Sequence, residues 1–275
     1  MPYGYNGKIL HADLTSGTLA IEEPPETFYR QYLGGQGMGM YYILKEMPAG
    51  ADPLGPENVL AITLSVVTGA AVSGQSRVMA NAKSPLTGAI GDAQAGGFWP
   101  AEAKAAGFDA FIIKGKAKTP VYLWVHDGEA ELRDATHLWG QITGEAEAAI
   151  RDELDDSRIE VLQIGPAGEK LVRYACLINM SNRANGRTGM GAVMGAKNLK
   201  AIAVRGTSKP PIADQKALTE IARWGAQNFE DSEVYGMGLH GTADVLPFQQ
   251  EDGGLPTRNW DSGVFEGYEA LGGPT

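Results

Sequence analysis

From residue 7 to residue 206 the chain keeps returning to short apolar runs of strand length, broken by glycine, proline or aspartate and only now and then by a helical stretch. Strands that follow one another with single helices and hairpins among them favour an α+β fold over a regular parallel βαβ repeat. The first two runs, "GKILHADL" and "TLAIEE", flank the turn "TSG" and read as a hairpin. Pro24 and Pro25 open a helix with Glu26 in its first turn, and a glycine break separates it from a second, apolar helix. "ENVLAITLSVVTG" and "SRVMANAKS" are strands, the former nearly all apolar and so expected to be buried. "GGFWPAEAKAAG" is a short helix with Pro100 in its first turn and Gly107 as its stop.

Three more strands follow in "DAFIIKGK", "PVYLWVHDG" and "EAELRDA", the last two joined at Asp127-Gly128. "TGEAEAAIRDEL" is a helix with Thr143 as its expected N-cap, and the acidic run "DELDDS" is a solvated helix end. "RIEVLQIG" and "LVRYACLI" are strands, "GAVMGAKN" is a helix and "LKAIAVRG" closes the series. After "TSKPPIAD" the pattern turns helical from Gln215 to Glu230 and then loop-like, which places a boundary near residue 210. The expected domains are 1–210 and the incomplete beginning of a helical domain over 211–275. The residues show no internal repeat and no low-complexity tract.

Composition narrows the function. With 23 basic against 33 acidic residues and a formal charge of −10, the chain is not a general nucleic-acid binder. No apolar run is long enough to span a membrane. The opening "MPYGYNGKILHADLTSG" lacks the charged and apolar regions of a secretory leader, so a cytoplasmic location is expected. Cys176 is the only cysteine, which excludes an internal disulfide and a Cys-rich metal site; its setting, "VRYACLINM", reads as a buried strand.

Against this acidic background two zones are stripped of acids. Asn58 to Gly91 carries only Arg77 and Lys83 as charges. Lys170 to Ala213 holds eight Lys or Arg and no Asp or Glu, with "NRANGRTGMGAVMGAKN" at its centre. Each zone leads into glycines just ahead of a helix start. Free backbone N–H groups at a helix start attract anions, and arginine adds planar bidentate donors suited to phosphate. Ordinary turn chemistry explains either zone alone; the pair leaves a phosphate site and turn chemistry evenly balanced. Neither zone contains a P-loop, and "GGQGMG" lacks the spacing of a dinucleotide fingerprint. Gly191 and Gly195 form a small-residue stripe that admits either a bulky cofactor or close packing against another backbone. The four histidines have no metal spacing, and the five tryptophans form no stacking array.

The stretches "SGQSRVMANAKSPLTGAI", "IGPAGEKLVRYACLIN", "NRANGRTGMGAVMGAKNLKAIAV" and "SKPPIAD" resemble the aldehyde:ferredoxin oxidoreductase family, in order over residues 5–265. The resemblance implies a β-rich two-sheet base, with interspersed helices, under a tungstopterin: two pyranopterins holding tungsten, or molybdenum. Magnesium would bridge the pterin phosphates, and a [4Fe-4S] cluster would pass electrons to ferredoxin. Carried over residue by residue, Arg77, Gly96, Arg183, Gly186 and Arg187 fall at cofactor-contacting positions. Gln94 and Ala184 fall at magnesium positions, Ala184 through its carbonyl and Gln94 where the family usually has an Asn, one methylene shorter.

The family's cluster cysteines, its proton-transfer acid and histidine and its substrate pocket correspond to residues past Thr275. No catalytic residue is therefore assigned here, and one cysteine cannot hold a Cys₄ cluster. The implied function is the cofactor-binding part of an aldehyde-oxidising enzyme, partnered by carboxy-terminal domains or a second subunit and by ferredoxin, with homodimerisation implied by the resemblance only. The alternatives are a non-catalytic pterin- or phosphate-binding or assembly protein, and a relative that reduces aromatic thioesters.

Overall fold

A computed structural model describes residues 3–273. The described residues fall into two compact units, one of residues 3–70 with 74–214 and the other of 71–73 with 215–273.

The larger unit begins with the hairpin β1 (Ile9–Asp13) and β2 (Thr18–Glu22), followed by α1 (Glu26–Tyr32), α2 (Gly35–Glu46), β3 (Leu60–Leu64), β4 (Val78–Lys83), β5 (Ile90–Ala95), α3 (Trp99–Ala105) and β6 (Ala110–Lys114). The series continues with β7 (Val121–His126), β8 (Glu129–Asp134), α4 (Thr143–Glu153), β9 (Glu160–Gln163), α5 (Pro166–Glu169), β10 (Leu177–Asn179), β11 (Arg183–Asn185), α6 (Met190–Ala196) and β12 (Leu199–Arg205). Two six-stranded sheets result, in the orders β2-β1-β6-β3-β4-β5 and β11-β10-β9-β12-β7-β8. Each is antiparallel except for one parallel pair, β1 with β6 and β7 with β12.

Adding six to every strand number of the first sheet reproduces the second, parallel pair included. The unit is thus a topological duplication, which corrects the expectation of no repeat. The inner helices obey the same rule, since α3 lies between β5 and β6 and α6 between β11 and β12. Aligning the first paired residues, Val78↔Ala95 and Leu177↔Asn185, makes Gln94 equivalent to Ala184 and Gly96 to Gly186. The residues at most equivalent positions differ, which hides the repeat from the sequence.

The period-two pattern of the strands accounts for the layers. Leu10, Phe111, Ile113, Leu60 and Ile62 face inward with Leu123, Val125, Leu162, Ile202 and Val204 of the other sheet, around Trp99 of α3 and Val193 and Met194 of α6. The alternate residues Ile9, Ala61, Ala110 and Ile112 pack outward under Phe28, Tyr29, Met38, Tyr42 and Ile43 of α1 and α2. On the second sheet, Tyr122, Val161, Ala201 and Ala203 pack outward against Ile150 of α4. The Asp127-Gly128 turn between β7 and β8 has both residues at positive φ, 43° and 87°, the twist a two-residue hairpin turn requires.

Several expectations need correction. "LVRYACLI" is a strand only from Leu177. Before it, Leu171, Val172 and Ala175 donate to Gly168, Ala167 and Val172, so local turns capture the backbone, and Cys176 lies half-buried outside any strand. Thr143 is the first residue of α4 rather than its cap, because Ile142 holds the N-cap position without a side-chain hydrogen bond. β5 and β11 form where no strand was expected: "IGDAQA" and "RAN" lack an apolar alternation and take their conformation from pairing with β4 and β10.

The smaller unit contains α7 (Gln215–Asn228), α8 (Tyr235–His240) and α9 (Leu246–Glu251), followed by a single bridge between Thr257 and Ser262. None of these helices has a buried residue, and Trp224 and Phe248 stay exposed.

Candidate functional site

β5 is an outer strand of the first sheet and β11 an outer strand of the second, and the two lie against each other without a backbone ladder. Side chains join them instead. The Asn185 side-chain amide donates to the Ala93 carbonyl at 2.8 Å, and that of Asn179 to the Gly96 carbonyl at 3.1 Å. The Ser84 hydroxyl, just past β4, donates to the Thr188 carbonyl at 2.8 Å. Both asparagines are fully buried, and in each the amide oxygen has no partner.

Beside this seam opens a cleft of about 430 Å³ lined by Gly74, Gln75, Ser76, Arg77, Gly96 and Arg183. Arg77 directly precedes β4, and Arg183 starts β11, so each sheet contributes one guanidinium. The structure therefore brings together Arg77, Gly96 and Arg183 from two distant stretches of chain. Gly186 and Arg187 follow β11 directly and are exposed, as are Gln94 on β5 and Ala184 on β11; none of these four lines the cleft itself.

Gln75 and Ser76 are cleft residues that sequence reasoning passed over. Gln75 accepts the Gly69 N–H at 2.6 Å, and the Ser76 hydroxyl donates to the Gly97 carbonyl at 2.5 Å, which braces the loop carrying Arg77. Their only signal was the run "SGQSR" in an acid-free zone.

No carboxylate of the described residues lies within ion-pair distance of Arg77, Arg183 or Arg187. Three exposed guanidiniums are thus free to meet an external anion. Asp92, two residues before Gln94 on the same face of β5, is half-buried; burial pushes its carboxyl up, against a smaller opposing effect of the Asn81 side chain. A Cβ built on Gly186 would meet nothing within 4 Å, so the protein itself leaves that side open. Among the described residues no group of three or more His, Cys, Asp or Glu is placed to hold a metal ion.

Other parts of the basic segment are structural. Lys200 is buried against Glu169 at 2.5 Å, and Lys197 is buried among the carbonyls of Pro56, Asn58 and Gly115. Arg205 is bound to Glu102 and Asp156. The stripe on α6 packs on backbone, since a Cβ on Gly191 would collide with the Cys176 carbonyl and one on Gly195 with the Gly168 carbonyl. The start of α6 does not offer the free N–H row expected of it, and that of α3 is shortened by Pro100, which has no N–H. Gly191 N–H donates to Ala175, Ala192 and Val193 N–H to Gly189, and Phe98 N–H points to the Met180 sulfur at 3.1 Å. The donors of this segment left free to meet an anion are the exposed Arg183 and Arg187.

Residues 9–206 match the family described as aldehyde ferredoxin oxidoreductase, N-terminal domain. The chain is 45% identical over 273 residues to the tungsten-containing aldehyde ferredoxin oxidoreductase of Pyrococcus abyssi and 42% identical to that of Pyrococcus furiosus, covering 98% of this chain and 45% of each relative. Among solved structures, the active-site complex BamBC of benzoyl coenzyme A reductase, bound to 1,5-dienoyl-CoA, matches 98% of this chain and 44% of its own, with a TM-score of 0.83 and 30% identity. The chain spans less than half the length of these relatives. It belongs to the aldehyde ferredoxin oxidoreductase family, of which residues 9–206 are the N-terminal domain.

Proposed function

We propose that this chain is the cofactor-binding part of a tungsten or molybdenum bis-pyranopterin oxidoreductase that oxidises aldehydes to carboxylates. The observation that carries the reading is the cleft itself: Arg77 and Arg183, one from each half of the duplication, line it with Gly96 and lack internal counter-ions. That donor set fits the phosphates of a pterin cofactor. When bound, the metal-pterin group supplies the two-electron redox chemistry.

The chain's own residues bind and orient. Arg77 and Arg183 hold phosphate oxygens in the cleft, Arg187 adds a third donor beyond the end of β11, and Gly96 and Gly186 leave room for close approach. Gln94 through its side-chain amide and Ala184 through its carbonyl, at equivalent positions of the two halves, would hold a magnesium ion that would offset phosphate charge. With Cys176 as its one cysteine, this chain does not supply the ligands of a [4Fe-4S] cluster. The cluster, the substrate pocket and the path to ferredoxin belong to carboxy-terminal domains or a partner subunit.

The similarity to a benzoyl coenzyme A reductase complex favours one second reading, in which the same base serves reduction of an aromatic thioester. The experiment is to co-produce the chain with its carboxy-terminal counterpart and measure tungsten, molybdenum and released pterin in wild type and in Arg77→Ala and Arg183→Ala. Metal and pterin should be present in wild type and depleted in both variants. Absence of metal and pterin from the wild-type assembly overturns the reading, and assay with aldehydes against aromatic thioesters separates the two activities.

A further inference from the structure

We propose that Asn179 and Asn185 are positioning residues of the cleft, whose buried amides fix the arginine of one sheet relative to that of the other. The proposal rests on the reading above that the cleft takes anionic groups. Arg77 adjoins β4, and the Val78↔Ala95 pairing ties β4 to β5 by an ordinary ladder. Arg183 is tied in the same way to β10, opposite Asn179. Nothing of that kind joins β5 to β11, so beyond the shared inner core the register between the two guanidiniums is set by the side chains that cross between those strands.

The duplication sharpens this. β5 and β11 are equivalent strands, yet the positions equivalent to Asn185 and Asn179 in the first half are Ala95 and Ala80. Only one half supplies the crossing amides. Each amide uses its N–H₂ on a β5-side carbonyl and leaves its oxygen buried without a partner. An apolar residue of the same shape would remove that orphan oxygen but take the donor from the Ala93 or Gly96 carbonyl, exchanging one unpaired acceptor for another. The net stabilisation from each asparagine is therefore small, and what the pair supplies is alignment of the seam. Gly97 completes the arrangement: at φ 111° it adopts a conformation open to glycine, and a Cβ there would run into the Asn179 amide oxygen.

The test separates holding the fold from holding the cleft. The full chain is titrated calorimetrically with inorganic pyrophosphate in wild type, Arg77→Ala, Arg183→Ala, Asn179→Leu and Asn185→Leu, and each protein is melted. The leucine variants should bind pyrophosphate about tenfold more weakly, the effect of misaligning one charge-assisted hydrogen bond, while still melting cooperatively close to wild type. In a double-mutant cycle the coupling between Arg77 and Arg183 should be present in the wild-type background and lost in the Asn185→Leu background. Wild-type affinity and intact coupling in folded leucine variants overturn the positioning role while leaving the anion cleft standing. Wild-type binding that is indifferent to Arg77→Ala and Arg183→Ala overturns the cleft reading instead. Gly97→Ala pushes on the Asn179 amide without removing a polar group, so it should weaken pyrophosphate binding likewise, with a lowered melting temperature from the strain at φ 111°; unchanged affinity in the folded variant counts against the proposal.

Discussion

Lys104 and Asp109 face each other at 2.6 Å in the interior, each almost wholly shielded from water. Asp109 also accepts the backbone N–H groups of Asn6 at 3.1 Å and Gly7 at 2.7 Å, fastening the N-terminal segment to the start of β6. Burial pushes the Lys104 ammonium below its usual range, and Asp109 opposes that shift. Removing one partner strands the other charge in a poor solvent. Asp109→Ala should therefore lower the unfolding free energy by about 3–5 kcal/mol in urea denaturation. A loss of the size typical for an exposed pair, under about 1 kcal/mol, would contradict the account.

Lys197 has a different setting and predicts a pH dependence. Its ammonium is surrounded by three carbonyls, and burial pulls its pKa down to about 7 from 10.5. A folded-state value below the unfolded one means that the unfolded chain binds more protons between those limits. Stability from this group accordingly rises with pH from about 7 to about 10.5, and its cost is fully present below pH 7. Lys197→Met should lack this component. The stability difference between wild type and variant, followed by denaturation from pH 6 to pH 10, should shift in favour of wild type as pH rises.

The glycines of the basic segment divide into two kinds. In a helix interior alanine is favoured over glycine by about 1 kcal/mol, yet Gly195→Ala should destabilise, because its methyl group would meet the Gly168 carbonyl rather than a movable side chain. A net loss of about 1–3 kcal/mol is expected, read as a lowered melting temperature.

Gly186→Ala makes the opposite prediction. With open space around that position, its melting temperature should stay near wild type, within about 0.5 kcal/mol. Retention of pterin by the assembled protein should nevertheless fall. Unchanged retention would remove Gly186 from the cleft's surroundings.

The sequence exposed the strands whose apolar residues alternate between two cores: Leu10, Ile113, Leu123 and Val204 belong to the inner core, and Ile9, Ile112, Tyr122 and Ala203 to the outer ones. It also pointed to Arg77 and Arg183 as basic residues in acid-free settings. What stayed hidden depends on distant partners. β5 and β11 are small, polar segments whose strand character exists only beside β4 and β10. The repeat is hidden because equivalent positions hold unlike residues: Ala80 and Asn179, Ala95 and Asn185, Gln94 and Ala184. Lys197 and Lys200 resembled the exposed arginines in composition, and only tertiary packing separates the buried ammonium groups from the solvent-facing guanidiniums.

The edge-to-edge meeting of β5 and β11 also bears on how the protein avoids sticking to itself. A sheet's outer strands display unpaired backbone groups that can recruit another chain. Here the outer strands β5 and β11 shield each other, leaving β2 and β8 at the far ends. β8 carries Glu129, Glu131, Arg133 and Asp134 along six residues, and β2 ends in Glu22. By turning its vulnerable margins toward each other and keeping charge on the remaining ones, the duplicated fold guards against fibril-like growth at the same place where it forms its cleft.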